Sequence, residues 1–221
     1  MSKIYQPKRL RTRRNLPHWQ APDGIYTIIF RLKGSLPKAI IERLRDERAF
    51  HKKSLLKRGL SKEETAVKLR KMQRLYYGKF DTLLDNTSTG PHFLKVPQIA
   101  QIVADAIMHF DGKRYQVIDY CIMSNHVHLT FCQLTKELGD ILGSIKKFSS
   151  RQINLLQDCV GRQVWMQESY DHLIRDWDDL AFYHTYNINN PVSAGIVMHW
   201  TDYPFTYANP DYEEYYLSHL P

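Results

Sequence analysis

The stretch Ser124-Asn125-His126-Val127-His128-Leu129-Thr130 sets two histidines on either side of one valine, inside a run with the composition of a β-strand. Side chains alternate between the faces of a strand, so residues two apart point the same way. His126 and His128 therefore present two imidazoles side by side, and Val127 turns to the opposite, apolar face. Tyr115 to Met123 is also strand-like, and the short Ser124-Asn125 link has turn composition. Val127 to Cys132 then reads as the antiparallel neighbour of the strand before it.

Working outward, Gly24 to Leu32 alternates Tyr26, Ile28, Phe30 and Leu32 with Thr27, Ile29 and Arg31, a further strand. Gly34-Ser35-Leu36-Pro37 ends it, and Pro37 suits a helix start ahead of Ile40, Ile41 and Leu44. Ala49 to Leu84 is charged and helical, with Ser61 and Glu64 at capping-box spacing. Val96 to Phe110 and Leu138 to Leu156 predict amphipathic helices, and Gln163 to Gln167 predicts a short strand. Asp176 is an N-cap for a helix that runs to about Asn190, where Pro191 interrupts it. Gly195 offers a hinge or stop soon after.

Strand, helices, strand, strand, helix, strand, helix is the order of an α+β fold. It predicts an antiparallel sheet with helices on one face, ferredoxin-like or RRM-like, carrying a helical insertion over about residues 40–90. Residues 1–23 form a basic arm, 24–207 one domain, and 208–221 a tail.

The 221 residues suffice for one well-buried domain. Lys and Arg outnumber Asp and Glu by 31 to 23, a net charge of +8 that fits a polyanionic partner. Arg9, Arg11, Arg13 and Arg14 crowd into the arm, a segment suited to folding onto phosphate. Cys121, Cys132 and Cys159 are scattered, which argues against a disulfide framework and for a reducing, cytosolic setting. No apolar run has the length of a membrane span, and the N-terminus lacks the apolar core of a signal peptide.

Two imidazoles on one strand face are half of a metal site. Sixty residues on, Tyr186 and Asn190 lie four apart on one helix face, so an amide oxygen and a phenol sit one turn from each other. Two imidazoles and an amide oxygen leave open positions on an octahedral ion such as Mg²⁺ or Mn²⁺, as a phosphodiester requires. A phenol ionises near about pH 10, so as a nucleophile it needs a cation's field or a base. Tyr183 with Asn187 has the same spacing, and spacing alone does not choose between the two tyrosines.

Tyr120-Cys121-Ile122-Met123-Ser124-Asn125-His126-Val127-His128-Leu129 resembles the HUH motif of single-tyrosine, IS200-like transposases, and more narrowly of the REP-associated tyrosine transposases. Their pattern carries Met-Pro-Asn-His-Val-His, with Ser124 here in place of proline. Ser169 to Asp176 is similar to the segment before their catalytic helix, and Tyr186-Asn187-Ile188-Asn189-Asn190-Pro191 to its Tyr-x-x-x-Asn-Pro end. Asp202-Tyr203-Pro204-Phe205-Thr206 resembles their Trp-Pro-Phe-Ser element, with Tyr203 for tryptophan. The likeness spans about residues 24–207.

The resemblance implies an HUH endonuclease fold, Tyr186 as nucleophile, and His126, His128 and Asn190 as ligands of Mg²⁺ or Mn²⁺. It implies cleavage of single-stranded DNA at the foot of a hairpin through a 5′-phosphotyrosine link, later rejoined by a 3′-OH. No membrane and no small-molecule substrate is involved. Lys146, Lys147 and Arg151 are candidates for phosphate contacts, with Arg175 near the scissile region and the arm as a second clamp. Both a monomer and a homodimer that exchanges catalytic helices fit the resemblance.

Three other readings compete. A silent or host-adapted hairpin-DNA binder of the same descent would explain the motifs without cleavage. A metal-dependent phosphodiesterase using water calls for more carboxylates than stand beside His126 and His128. An RRM-like RNA binder calls for aromatic residues where the histidines are.

Overall fold

The computed structural model describes residues 24–133 and 135–213; the arm with Arg9, Arg11, Arg13 and Arg14 lies outside them. These residues divide into two compact units, 33–91 and the remainder.

The larger unit is built on a five-stranded antiparallel sheet. Its strands are β1 (Ile25–Arg31), β2 (Tyr115–Ile122), β3 (His126–Gln133), β4 (Tyr170–Leu173) and β5 (Thr206–Ala208). Their spatial order is β4-β1-β3-β2-β5, so the first four follow the ferredoxin-like order and β5 extends one edge. The helices are α3 (Pro97–Met108), α4 (Leu138–Leu156), α5 (Trp177–Ile188) and the single turn α6 (Asn190–Ser193). The α+β class expected from sequence is the class observed.

Alternation dictates how the layers form. Tyr26, Ile28 and Phe30 of β1 join Val127, Leu129 and Phe131 of β3 in the main core. There they meet Ile99, Val103 and Ile107 of α3 and Ile141, Ile145 and Ile153 of α4. The intervening residues Thr27, His126, His128 and Thr130 are buried on the other face. Helix α5 covers that second face, bonding to Thr27, Thr130 and Asp119 through Asn187. The sheet therefore has helices on both sides, with the polar layer under α5.

Two local expectations change. Gln163 to Gln167 makes only an isolated bridge, Trp165 to Leu32, and the fourth strand is Tyr170–Leu173. Trp165 instead fills the core, its ring 4.9 Å from Phe30 and its indole N–H donating to Ser149 Oγ. Its apolar run is a core plug, which burial alone does not distinguish from a strand. Strand β5, unforeseen, pairs Thr206, Tyr207 and Ala208 with Cys121, Tyr120 and Asp119.

The smaller unit is the insertion: α1 (Lys38–Leu56) and α2 (Lys62–Asp85). The capping box at Ser61 and Glu64 forms in full. Lys79 to Glu47 (2.5 Å) and Tyr76 to His51 (2.8 Å) join the two helices. The insertion's ends meet at Gly34 and Gly90; a Cβ on Gly90, at φ +94°, would fall 2.5 Å from the Gly34 carbonyl oxygen.

Candidate active site

Strand register sets out the second face in rows. Arg31 of β1 stands opposite His126, Ile29 opposite His128, and Thr27 opposite Thr130. On the other side of β3, Cys121 stands opposite His128 and Asp119 opposite Thr130. Side chains paired across neighbouring strands share a face, so one surface carries a cation, two imidazoles and a buried carboxylate.

His126 and His128 are fully buried, and their Nε2 atoms lie 3.1 Å apart. Asn125 Oδ1 accepts a hydrogen bond from His126 Nδ1 at 2.7 Å, which puts that ring's proton on Nδ1 and a lone pair on Nε2. Two imidazole nitrogens held about 2.1 Å from one ion stand about 3.0 Å apart at adjacent octahedral corners, and about 3.4 Å apart in a tetrahedron. The observed spacing lets both imidazole nitrogens reach one divalent metal ion.

Helix α5 begins at Asp176, whose side chain caps Asp179 N–H at 2.9 Å. It separates the two Tyr/Asn pairs left open by spacing. Tyr183 is fully buried with its ring 4.7 Å from that of His172, and Asn187 is fully buried in hydrogen bonds to the sheet. Tyr186 is half-buried, its ring 6.2 Å from that of His128 and 6.1 Å from that of Phe182. Asn190, buried, opens α6 one turn later, with Pro191 in that helix's first turn rather than ending α5. Tyr186 is thus the tyrosine that flanks the imidazole pair.

The helix is keyed to the sheet by two histidine–carboxylate contacts. His172 of β4 meets Asp179 at 2.7 Å, and Asp119 of β2 meets His184 at 2.9 Å. All four groups are buried.

The basic residues picked from sequence are dispersed. Lys147 and Arg151 are exposed on α4, on the sheet face away from the histidines. Lys146 donates from Nζ to the carbonyls of Met166 (3.0 Å) and Gln167 (3.2 Å) and lies 5.7 Å from the Phe30 ring. Arg175 is exposed just ahead of the α5 cap. Arg31, by contrast, is buried beside His126, and burial pulls its guanidinium below the usual arginine value. Only the alternation of β1 signalled it: an arginine continuing the Thr27, Ile29 face.

The two departures from the motif have partners. Ser124 Oγ, absent from proline, lies 2.9 Å from His92 Nδ1, and the Ser124 carbonyl accepts from Leu94 N–H. Tyr203 donates its hydroxyl to the Ile122 carbonyl at 2.8 Å, tying the 200–205 segment to the end of β2. A phenol O–H serves as donor there as an indole N–H does.

Residues 97–173 match the model of the family described as "Transposase IS200 like". That stretch runs from α3 through β4 and includes His126 and His128. One solved structure, titled "Structure of the REP associates tyrosine transposase bound to a REP hairpin", aligns over 93% of this chain and 82% of that chain, at 15% identity and a TM-score of 0.48. No curated protein matches the chain. Among the described residues no helix is long and apolar enough to cross a membrane.

Proposed function

We propose that this chain is a transposase that cuts and rejoins single-stranded DNA through Tyr186. One observation carries the reading: the Tyr186 ring lies 6.2 Å from that of His128, whose Nε2 is 3.1 Å from His126 Nε2. A nucleophile-bearing side chain beside two convergent imidazole nitrogens, on the face where Arg31 is buried, is an arrangement for attack on a phosphodiester.

In the proposed step the Tyr186 hydroxyl loses its proton and its oxygen attacks phosphorus. The phosphorus–O3′ bond breaks, the departing O3′ takes up a proton, and the strand 3′ of the cut stays on the enzyme through its 5′-phosphate as a phosphotyrosine. A 3′-OH attacking the same phosphorus reverses the exchange, so no water or nucleotide is consumed. His126, His128 and the Asn190 amide oxygen are the proposed ligands of Mg²⁺ or Mn²⁺, which when bound would polarise the scissile phosphate. Arg31 would add a fixed charge beside that phosphate, with five N–H donors that cannot be titrated away near neutral pH.

The substrate proposed is a strand that folds into a hairpin, with Lys147, Arg151 and Arg175 on phosphates away from the cut and the arm as a further clamp. The buried bonds between α5 and the sheet of the same chain support a site assembled in cis.

The test is a denaturing gel with wild type, Tyr186→Phe and Tyr183→Phe, Mn²⁺ and a hairpin oligonucleotide labelled on the 3′ side of the cut, the fragment that keeps the 5′-phosphate. A covalent adduct is expected with wild type and Tyr183→Phe, and none with Tyr186→Phe or with chelator. Cleavage without adduct that survives in Tyr186→Phe would point to a water-using phosphodiesterase. Tight binding without cleavage on many hairpins would point to a silent binder.

A further inference from the structure

Strand β2 contains a bulge between Val117 and Asp119: Val117 stands opposite Phe131, yet Asp119 stands opposite Thr130. Two steps along β2 match one step along β3. The bulge therefore reverses the alternation. Tyr115 and Val117 before it face the apolar core, and so do Tyr120 and Ile122 after it. In an unbroken strand Asp119 would share the face of Val117 and put a carboxylate among leucines and isoleucines. The bulge turns it onto the histidine face instead.

There the Asp119 carboxylate holds α5 with both oxygens. Oδ2 lies 2.9 Å from His184 Nδ1, and Oδ1 accepts from Asn187 Nδ2 at 3.0 Å. The same amide nitrogen reaches Thr130 Oγ1 at 3.0 Å and Thr27 Oγ1 at 3.2 Å, while Thr130 donates to Thr27. Asp119, Asn187, Thr27 and Thr130 are fully buried and His184 nearly so. Three strands thus converge on two residues of α5, His184 and Asn187, that bracket Tyr186 in sequence. A carboxylate between a ring N–H and an amide N–H accepts at one rotation and one height of the helix. Each residue of helical slip turns the side chains by about 100° and moves them about 1.5 Å, which would remove both bonds and carry Tyr186 away from His128.

We propose that Asp119, aimed by the bulge, is the positioning residue that fixes Tyr186 against the histidine pair, acting through His184 and Asn187. The proposal rests on Tyr186 being the nucleophile. It assigns Asp119 no contact with DNA.

The test uses the full chain with Asp119→Asn, Asn187→Asp, the double swap Asp119→Asn/Asn187→Asp, and Thr27→Val as a milder lesion. Asp119→Asn sets two amide N–H groups against each other, and Asn187→Asp sets two carboxylates; the swap restores one donor to one acceptor, and the threonine hydroxyls can turn to donate. Three readouts are taken: the adduct-forming rate at saturating hairpin DNA, the Kd for that DNA, and the fluorine spectrum of 3-fluorotyrosine at position 186. Each single carboxylate or amide variant should lose ten-fold or more in rate with Kd within two-fold. Its fluorine line should shift or split, and the swap should return rate and line towards wild type. Thr27→Val should lose a few-fold in rate alone. A single variant that keeps the wild-type rate and a single unmoved line would overturn the proposal. So would rate and Kd falling together without rescue by the swap. Should Asp119→Asn fail to fold, Thr27→Val and the swap decide between these outcomes. If wild type forms no adduct, the transposase reading fails, while the fluorine spectra still decide whether Asp119 positions the tyrosine.

Discussion

Asn125 Oδ1 accepts a hydrogen bond from Nδ1 of the adjacent His126 at 2.7 Å, with both residues buried. The contact turns the ring so that Nε2, not Nδ1, faces His128. Outer partners of this kind commonly contribute 10- to 100-fold in metal affinity. Asn125→Ala should therefore raise the Mn²⁺ concentration for half-maximal adduct formation by about 10- to 100-fold. Saturating Mn²⁺ should restore most of the rate. A metal titration settles it: an unchanged midpoint with a lower plateau would show that Asn125 serves something other than the ring's orientation.

Arg31 is expected to matter more for rate than for affinity. Its guanidinium is buried opposite His126, where a fixed cation would act on charge that develops during attack at phosphorus. Removing one such electrostatic contact typically costs about 10²-fold in rate. Arg31→Ala should fall by about that factor at saturating DNA, with Arg31→Lys recovering part of it. Equal losses in affinity and rate, with no difference between the two variants, would mean that Arg31 only binds the strand.

Tyr203 links alkaline stability to the element that follows the site. Burial pushes its phenol up to about 12, against about 10 for an exposed tyrosine. The folded state thus keeps a proton that the unfolded chain gives up first. The stabilisation is complete below about pH 10 and is lost as pH rises through about 12. Urea midpoints of wild type should fall across that window, and those of Tyr203→Phe should fall less steeply. Tyr115, whose phenol burial also raises, leaves a residual slope in both. Parallel curves for the two proteins would remove Tyr203 from the account.

The parts of this molecule legible in its sequence are those set by local period and local chemistry. Alternation in β1 and β3, the capping box at Ser61, the Asp176 cap and the His126/His128 pairing all follow from neighbours a few residues apart. The bulge at Ile118 does not, because it depends on β3 offering Phe131 and Thr130 to two residues of β2 that are not adjacent. Hence Asp119 passed as one more strand residue. The three residues of β5 carry too little periodicity to read and exist through pairing with β2. Trp165 is the opposite case: its apolar neighbours have the composition of a strand, but the indole is seated among Phe30 and Ser149. Spacing alone leaves Tyr186 and Tyr183 equivalent, whereas the packing of α5 sets Tyr186 beside the His128 ring and Tyr183 against His172.

Lys146 and its neighbours on α4 make the last contrast. The Lys146 ammonium donates to two carbonyls of the 163–167 segment, whereas Lys147 and Arg151 are exposed on the same helix. A cation that neutralises a phosphate releases counterions, and each such contact adds about 0.7 to the salt slope for single strands and about 0.9 for duplex. Lys147→Ala and Arg151→Ala should each lower the slope of log affinity against log salt by up to about that much, with the stability to urea unchanged. Lys146→Met should do the reverse: leave the slope alone and cost about 1–3 kcal/mol of stability, because two carbonyls lose a charged donor. Fluorescence anisotropy on a hairpin oligonucleotide across a salt series, beside urea denaturation, measures both quantities. If Lys146→Met flattens the salt slope as strongly as Arg151→Ala does, its ammonium leaves the carbonyls for phosphate when DNA binds, and the whole α4 basic run is the DNA contact.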